Sequence, residues 1–106
     1  MIPSITPAEL HAELRGANPP TIVDVREPYE LRVSSLPGAI HIPLAELLDR
    51  MDSLDRNADL VIMCRVGGRS AHAVGILQQH GFTKVRNLTS GINGWAKTVD
   101  TSMPEY

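Results

Sequence analysis

The chain reads as a three-layer α/β domain in which a mostly parallel sheet carries helices on both faces. Short apolar, β-prone runs (Thr21-Ile22-Val23-Asp24-Val25, Leu60-Val61-Ile62-Met63 and Lys84-Val85-Arg86-Asn87-Leu88) alternate with segments whose apolar residues keep helical spacing. The connections are short, and right-handed crossovers between parallel strands lay the intervening helices over the sheet. At 106 residues, 42% hydrophobic and 21% charged, residues 1–106 suffice for a single domain that buries a core.

Each element has a local cause. Thr6-Pro7-Ala8-Glu9 is a helix start, with Thr6 as cap, Pro7 at the first helical position and Glu9 closing a capping box. Leu10 and Leu14 give that helix its apolar side, and Gly16-Ala17-Asn18-Pro19-Pro20 ends it. The Thr21 to Val25 run is apolar enough for a central strand. Arg26-Glu27-Pro28 turns the chain into a short helical stretch from Tyr29 to Val33. Ser34-Ser35-Leu36-Pro37-Gly38 is a turn by composition, and Ala39-Ile40-His41-Ile42 a brief strand stopped by Pro43. Leu44, Leu47, Leu48 and Met51 mark a second helix. The Leu60 to Met63 strand leads through the Cys64 loop to a helix whose apolar face is Ala73, Val74 and Leu77, with Gly81 at its C-terminal cap. One more strand, Lys84 to Leu88, precedes a last short helix beginning Gly91-Ile92-Asn93-Gly94-Trp95.

Composition excludes several classes. Ten Lys/Arg against twelve Asp/Glu leave a formal net charge of -2, so nothing favours nucleic acid or an anionic membrane as partner, and any anion site must be local. A single cysteine forbids an internal disulfide and zinc sites built on paired cysteines, and suits a reducing cytoplasm. Met1-Ile2-Pro3-Ser4 has neither the basic nor the long apolar segment of a signal peptide or membrane span. His11, His41, His72 and His80 are dispersed without metal-ligand spacing, and no metal or cofactor is expected.

Chemistry concentrates in Cys64-Arg65-Val66-Gly67-Gly68-Arg69-Ser70. The sulfur follows a buried strand and faces a helix start, where loop amides and guanidinium groups favour a thiolate, well below the free-thiol value of about 8.5. A lone buried cysteine is otherwise a small core residue, but the glycine pair and two arginines tip the reading towards function. Ser70 is expected to cap the following helix. Arg69 either meets an anion or bridges the loop to a neighbouring carboxylate. Asp24 and Arg26 read as a pair that fixes the turn after their strand, Glu27 and Glu30 as a solvated face, His72 as exposed and Trp95 as a core anchor.

Three ordered motifs, Asp24-Val25-Arg26-Glu27-Pro28, Pro37-Gly38-Ala39-Ile40-His41-Ile42-Pro43 and the Cys64 loop, together resemble the rhodanese-like domain. Asn87-Leu88 and Gly91-Ile92-Asn93-Gly94-Trp95 resemble the family's closing segment, so the likeness runs from about Ile5 to Trp95. It implies a five-stranded, mostly parallel sheet and a sulfurtransferase in which Cys64 carries sulfane sulfur as a persulfide. The substrate-binding residues would then be Arg65, Val66, Gly67, Gly68, Arg69 and Ser70, holding a small anionic donor such as thiosulfate. Ser34-Ser35-Leu36 stands where members often have Gly-His-Ile, and Ser90-Gly91 where they often have a glycine pair. The tail Met103-Pro104-Glu105-Tyr106 resembles the end of the rhodanese domain fused to activating enzymes for sulfur carriers, which implies a sulfur-carrier protein or an activating-enzyme domain as partner. Two other readings stand beside this one. A rhodanese fold retained for docking is the first, although inactive relatives commonly lose the cysteine. The second is a cysteine phosphatase or arsenate reductase, but phosphatase loops carry one further residue than the four between Cys64 and Arg69.

Overall fold

A computed structural model describes residues 2–105; Met1 and Tyr106, the last residue of the tail motif, lie outside the described residues. The strands are β1 (Ser4–Ile5), β2 (Thr21–Asp24), β3 (Ile40–His41), β4 (Leu60–Met63) and β5 (Val85–Leu88). The helices are α1 (Pro7–Leu14), α2 (Leu47–Arg50), α3 (Gly68–Gln79) and α4 (Gly91–Thr98). The sheet has the order β1-β5-β4-β2-β3, and every pairing in it is parallel. β1 has no counterpart in the sequence reading, because Ser4-Ile5 stand between Pro3 and the Thr6-Pro7 helix start with no β-prone run to mark them; their partners Asn87 and Leu88 define the strand. The helix expected from Leu44 to Met51 is broken into a 3-10 turn (Leu44–Glu46), α2 and a second 3-10 turn (Met51–Ser53).

Side-chain alternation along β4 divides the core. Leu60 and Ile62 face one way with Cys64, joining Val23, Leu47, Ala73, Val74 and Leu77 under α2 and α3. Val61 and Met63 face the other way, joining Ile5, Leu10, Ile22, Leu88, Ile92 and Trp95 under α1 and α4. A strand buried on both faces has to be apolar throughout, which is why Leu60 to Met63 shows no polar alternation. Register parity therefore delivers Cys64 to the α3 side of the sheet.

Local chemistry sets the helix ends. Thr6 Oγ1 accepts from the Glu9 amide at 3.2 Å while the Glu9 carboxylate accepts from the Thr6 amide at 2.9 Å, the reciprocal box expected at α1. α3 ends with Phe82 N–H on the Leu77 carbonyl (3.1 Å) and Gly81 at φ +90°. Trp95 is a buried anchor, and His11 meets its ring edge-on at 5.9 Å, tying α1 to α4.

At the carboxyl end of β2 lies a fully buried arginine. Arg26 donates Nε and Nη2 to the Asp24 carboxylate (2.8–3.1 Å) and Nη2 to the Ser34 carbonyl (2.8 Å). Its own carbonyl accepts from His41 Nε2 at 2.7 Å. The pair thus fixes the following turn, as its position implied, and also pins the 3-10 turn Pro28–Arg32 between two strands. Removing one partner of such a pair strands a buried charge. Arg26→Ala is expected to lower the unfolding free energy by about 3–5 kcal/mol in urea titrations, whereas Arg50→Ala, which breaks only an exposed pair with Glu46, should cost no more than about 0.5 kcal/mol.

Candidate functional site

Cys64 leaves the carboxyl end of β4, a central strand, where open parallel sheets form their crevices. The loop after it turns its carbonyls outward. The first turn of α4 supplies the donors: Ile92 N–H bonds the Cys64 carbonyl at 2.9 Å and Asn93 N–H the Arg65 carbonyl at 3.1 Å. With those carbonyls taken, amides face the sulfur, and Gly67 N–H reaches Sγ at 3.1 Å. Gly67 does so at φ +107°, a conformation that L side chains rarely adopt. The approach of α4 is equally close: a Cβ on Gly91 would lie 2.4 Å from the Cys64 carbonyl oxygen.

Gly67, not Ser70, is the N-cap of α3. Ser70 lies fully buried within the helix, its hydroxyl 3.2 Å from Cys64 Sγ and also bonded to the Asn87 side chain. The expected cap fails because the helix starts earlier, at Gly68, leaving the serine inside it and free to turn towards the sulfur. Burial pushes the Cys64 thiol up, but bonds from the Ser70 hydroxyl and from the amides of Ser70, Gly67 and Val66 outweigh it and hold the thiol below its ordinary range.

Above the sulfur opens a cleft of about 410 Å³ lined by Tyr29, Glu30, Cys64, Arg65, Val66, Gly68 and Arg69. Arg65 and Val66 are exposed at its rim, and Tyr29 is 58% exposed opposite them. Glu30 overturns the expectation of a solvated face. Only 1% exposed, it binds the Arg69 guanidinium through both carboxylate oxygens, at 2.6 and 2.8 Å, and accepts from the Glu27 amide at 3.0 Å. Arg69 is thereby the loop-to-carboxylate bridge, a forked pair with one face towards the cleft. The Arg69 bond lowers the Glu30 carboxyl below the usual carboxylate range despite its burial.

The structure thus brings Cys64, Gly67, Ser70 and Arg69 together, with Arg65, Val66 and Gly68 at the mouth. His72 is exposed, as expected. Two residues had no site role in the sequence reading: Glu30, whose partner is 39 positions away, and Asn87, which entered only through the closing-segment motif and whose signal was a polar side chain next to the apolar Leu88 in β5. Among the described residues no group of three or more His, Cys, Asp or Glu could hold a metal ion, and no helix is long and apolar enough to cross a membrane.

Fold and loop together define a class: a doubly wound α/β unit that presents one buried cysteine between a strand end and a helix start. Comparison with known proteins supplies the family. The family model described as "Rhodanese-like domain" matches residues 6–98, and the chain belongs to that family. A sulfurtransferase of Allochromatium vinosum is 34% identical over 97 residues, covering 92% of this chain and 91% of that protein. The rhodanese-like/PpiC domain-containing protein 12, chloroplastic, of Arabidopsis thaliana is 36% identical over 105 residues, which cover 92% of this chain but only 35% of that protein. An adenylyltransferase and sulfurtransferase of Zea mays is 30% identical over 95 residues, this chain spanning 20% of it. Among solved structures, a rhodanese-related protein of Thermoplasma volcanium superposes with a TM-score of 0.84 at 34% identity, over 92% of this chain and 93% of that one.

Two measurements test this electrostatic picture. The pH profile of Cys64 alkylation by iodoacetamide is expected to have its midpoint below the free-thiol value of about 8.5, and a midpoint at that value would contradict the cradle. A carboxyl whose folded-state pKa is depressed adds stability above its unfolded value, about 4.3 for Glu, and loses it as pH falls through the folded value. Glu30→Gln should therefore flatten the acid-side decline in melting temperature, and an unchanged slope would mean that the pair with Arg69 is not formed in solution.

Proposed function

We propose that this chain is a rhodanese-type sulfurtransferase, one domain over residues 1–106, that moves sulfane sulfur from thiosulfate or a persulfide donor to a thiophilic acceptor through a Cys64 persulfide. The observation that carries the reading is the sulfur itself: buried, bonded by Gly67 N–H, within 3.2 Å of the Ser70 hydroxyl, and opening onto a cleft with two arginines.

In the donor step the Cys64 thiolate attacks the outer sulfur of thiosulfate. The new bond is Sγ–S, the S–S bond of the donor breaks, and sulfite leaves with the electron pair. In the acceptor step a nucleophile takes the outer sulfur, and the pair of the broken bond returns to Sγ. The thiolate is already favoured by its surroundings, so no general base is needed. Loop amides from Arg65 to Arg69 hold the anionic outer sulfur. Arg65 serves donor oxygens at the rim, whereas Arg69, engaged by Glu30, chiefly fixes the loop's shape. Similarity to a putative sulfur carrier protein of Bacillus subtilis supports a sulfur-carrier protein as acceptor, and similarity to the Zea mays adenylyltransferase and sulfurtransferase supports an activating-enzyme domain as partner. A free thiol suits a reducing compartment such as the cytoplasm.

Intact mass spectrometry after incubation with thiosulfate is expected to show the mass of one added sulfur atom, removed by cyanide and absent in Cys64→Ser. Unmodified folded protein would overturn the carrier role. Turnover of an aryl phosphate comparable to turnover of thiosulfate would replace it with phosphatase chemistry.

A further inference from the structure

Four groups close a ring on one side of the sulfur. Sγ accepts from Gly67 N–H (3.1 Å), the Gly67 carbonyl accepts from Asn87 Nδ2 (3.2 Å), Asn87 Oδ1 bonds Ser70 Oγ, and Ser70 Oγ returns to Sγ at 3.2 Å. The protons in this ring can be counted. A carbonyl only accepts, so Asn87 must turn its NH2 to Gly67, which leaves Oδ1 facing Ser70. Oδ1 also only accepts, so the single hydroxyl proton of Ser70 points at Asn87 and away from the sulfur. In that arrangement Ser70 offers Sγ a lone pair, which suits S–H. A thiolate needs the proton turned the other way.

We propose that Asn87 is a positioning residue of this site, holding the Ser70 hydroxyl proton while Cys64 is a thiol or persulfide and yielding it to Sγ as the thiolate forms. The use in the cycle rests on the persulfide reading above. In the persulfide the negative charge sits on the outer sulfur, so Sγ is a poor acceptor and the proton stays with Asn87. When the S–S bond breaks and the electron pair falls to Sγ, the hydroxyl rotates towards the new charge. No proton leaves Ser70. Geometry permits the exchange: Ser70 is fully buried and Asn87 7% exposed, so water does not readily substitute. The Gly67 carbonyl is also bonded by Ala71 N–H at 3.1 Å, so the loop does not depend on Asn87 alone.

The prediction has a sign that a purely structural role would reverse. Arg65, Arg69, Tyr29 and Glu30 line the cleft, Asp24 and Arg26 pair at the end of β2, and the first turn of α4 carries no acidic residue; none of these changes in the variants. Asn87→Ala frees the Ser70 proton for sulfur, and the midpoint of the iodoacetamide pH profile is expected to fall by about 0.5–1 pH unit. Ser70→Ala should raise it, and in that background Asn87→Ala should move nothing. An upward shift in Asn87→Ala, or an equal shift with and without Ser70, overturns the proposal. If Asn87→Ala does not fold, Asn87→Asp takes its place. Its carboxylate repels the thiolate in both backgrounds but captures the hydroxyl only where Ser70 is present, so the upward shift must be larger with Ser70; equal shifts overturn the proposal. Alkylation needs no sulfur donor, so this result stands apart from that of the mass measurement.

Discussion

Arg26 is the group on which the carboxyl edge of the sheet depends. A guanidinium cannot be neutralised at working pH, so burying it completely demands an acceptor for its donors. Asp24 supplies the charge and the Ser34 carbonyl a further acceptor, which stitches the end of β2 to the turn before β3. Between those points lies the 3-10 turn that carries Glu30, and Glu30 grips Arg69 of the cysteine loop. Two ion pairs in series therefore connect the interior of the sheet to the shape of the loop. The inner pair is buried on both sides, whereas Arg69 keeps a face towards the cleft, so the arrangement grades from scaffold to site.

The second constraint is the demand of backbone groups for partners. Helix α4 begins with orphan N–H groups, and the Cys64 and Arg65 carbonyls satisfy two of them. That exchange turns the loop's amides towards the sulfur, where burial alone would have favoured the neutral thiol. Ser90, immediately before α4, takes φ +58°, a conformation that glycine reaches without steric cost. The helix is nevertheless brought close enough that Gly91 tolerates no side chain against the Cys64 carbonyl. The pull on the Cys64 thiol towards its charged form comes from hydrogen bonds shared between a helix and a loop more than from any one charged residue.

Much of this was legible in the chain. The four expected strands matched β2 to β5, because apolar, β-branched runs bounded by turn residues leave little alternative. The loop was legible too, since a cysteine between a buried strand and a glycine pair has few structural uses. β1 lay between Pro3 and a helix start with no β-prone run to mark it, and the Leu44 to Ser53 region kept helical spacing while its backbone alternated between tight and ordinary helix. Glu30 read as surface because charged residues seldom enter a core, and its partner lies in a distant element.

By itself the sequence determined the class of fold, the identity of the sulfur and the residues that follow it, because periodicity and turn chemistry are local properties. Tertiary structure alone decided which of those residues touch the sulfur and which touch each other. Arg69 read either as an anion ligand or as a bridge to a carboxylate, and only the fold identifies that carboxylate as Glu30 from another turn; Ser70 looked like a cap until the helix began before it. Asn87 belongs to the site only because parallel pairing lays β5 beside β4. Hydrogen-bond partners are assigned by distance in space, and the order of residues along a chain does not encode that distance directly.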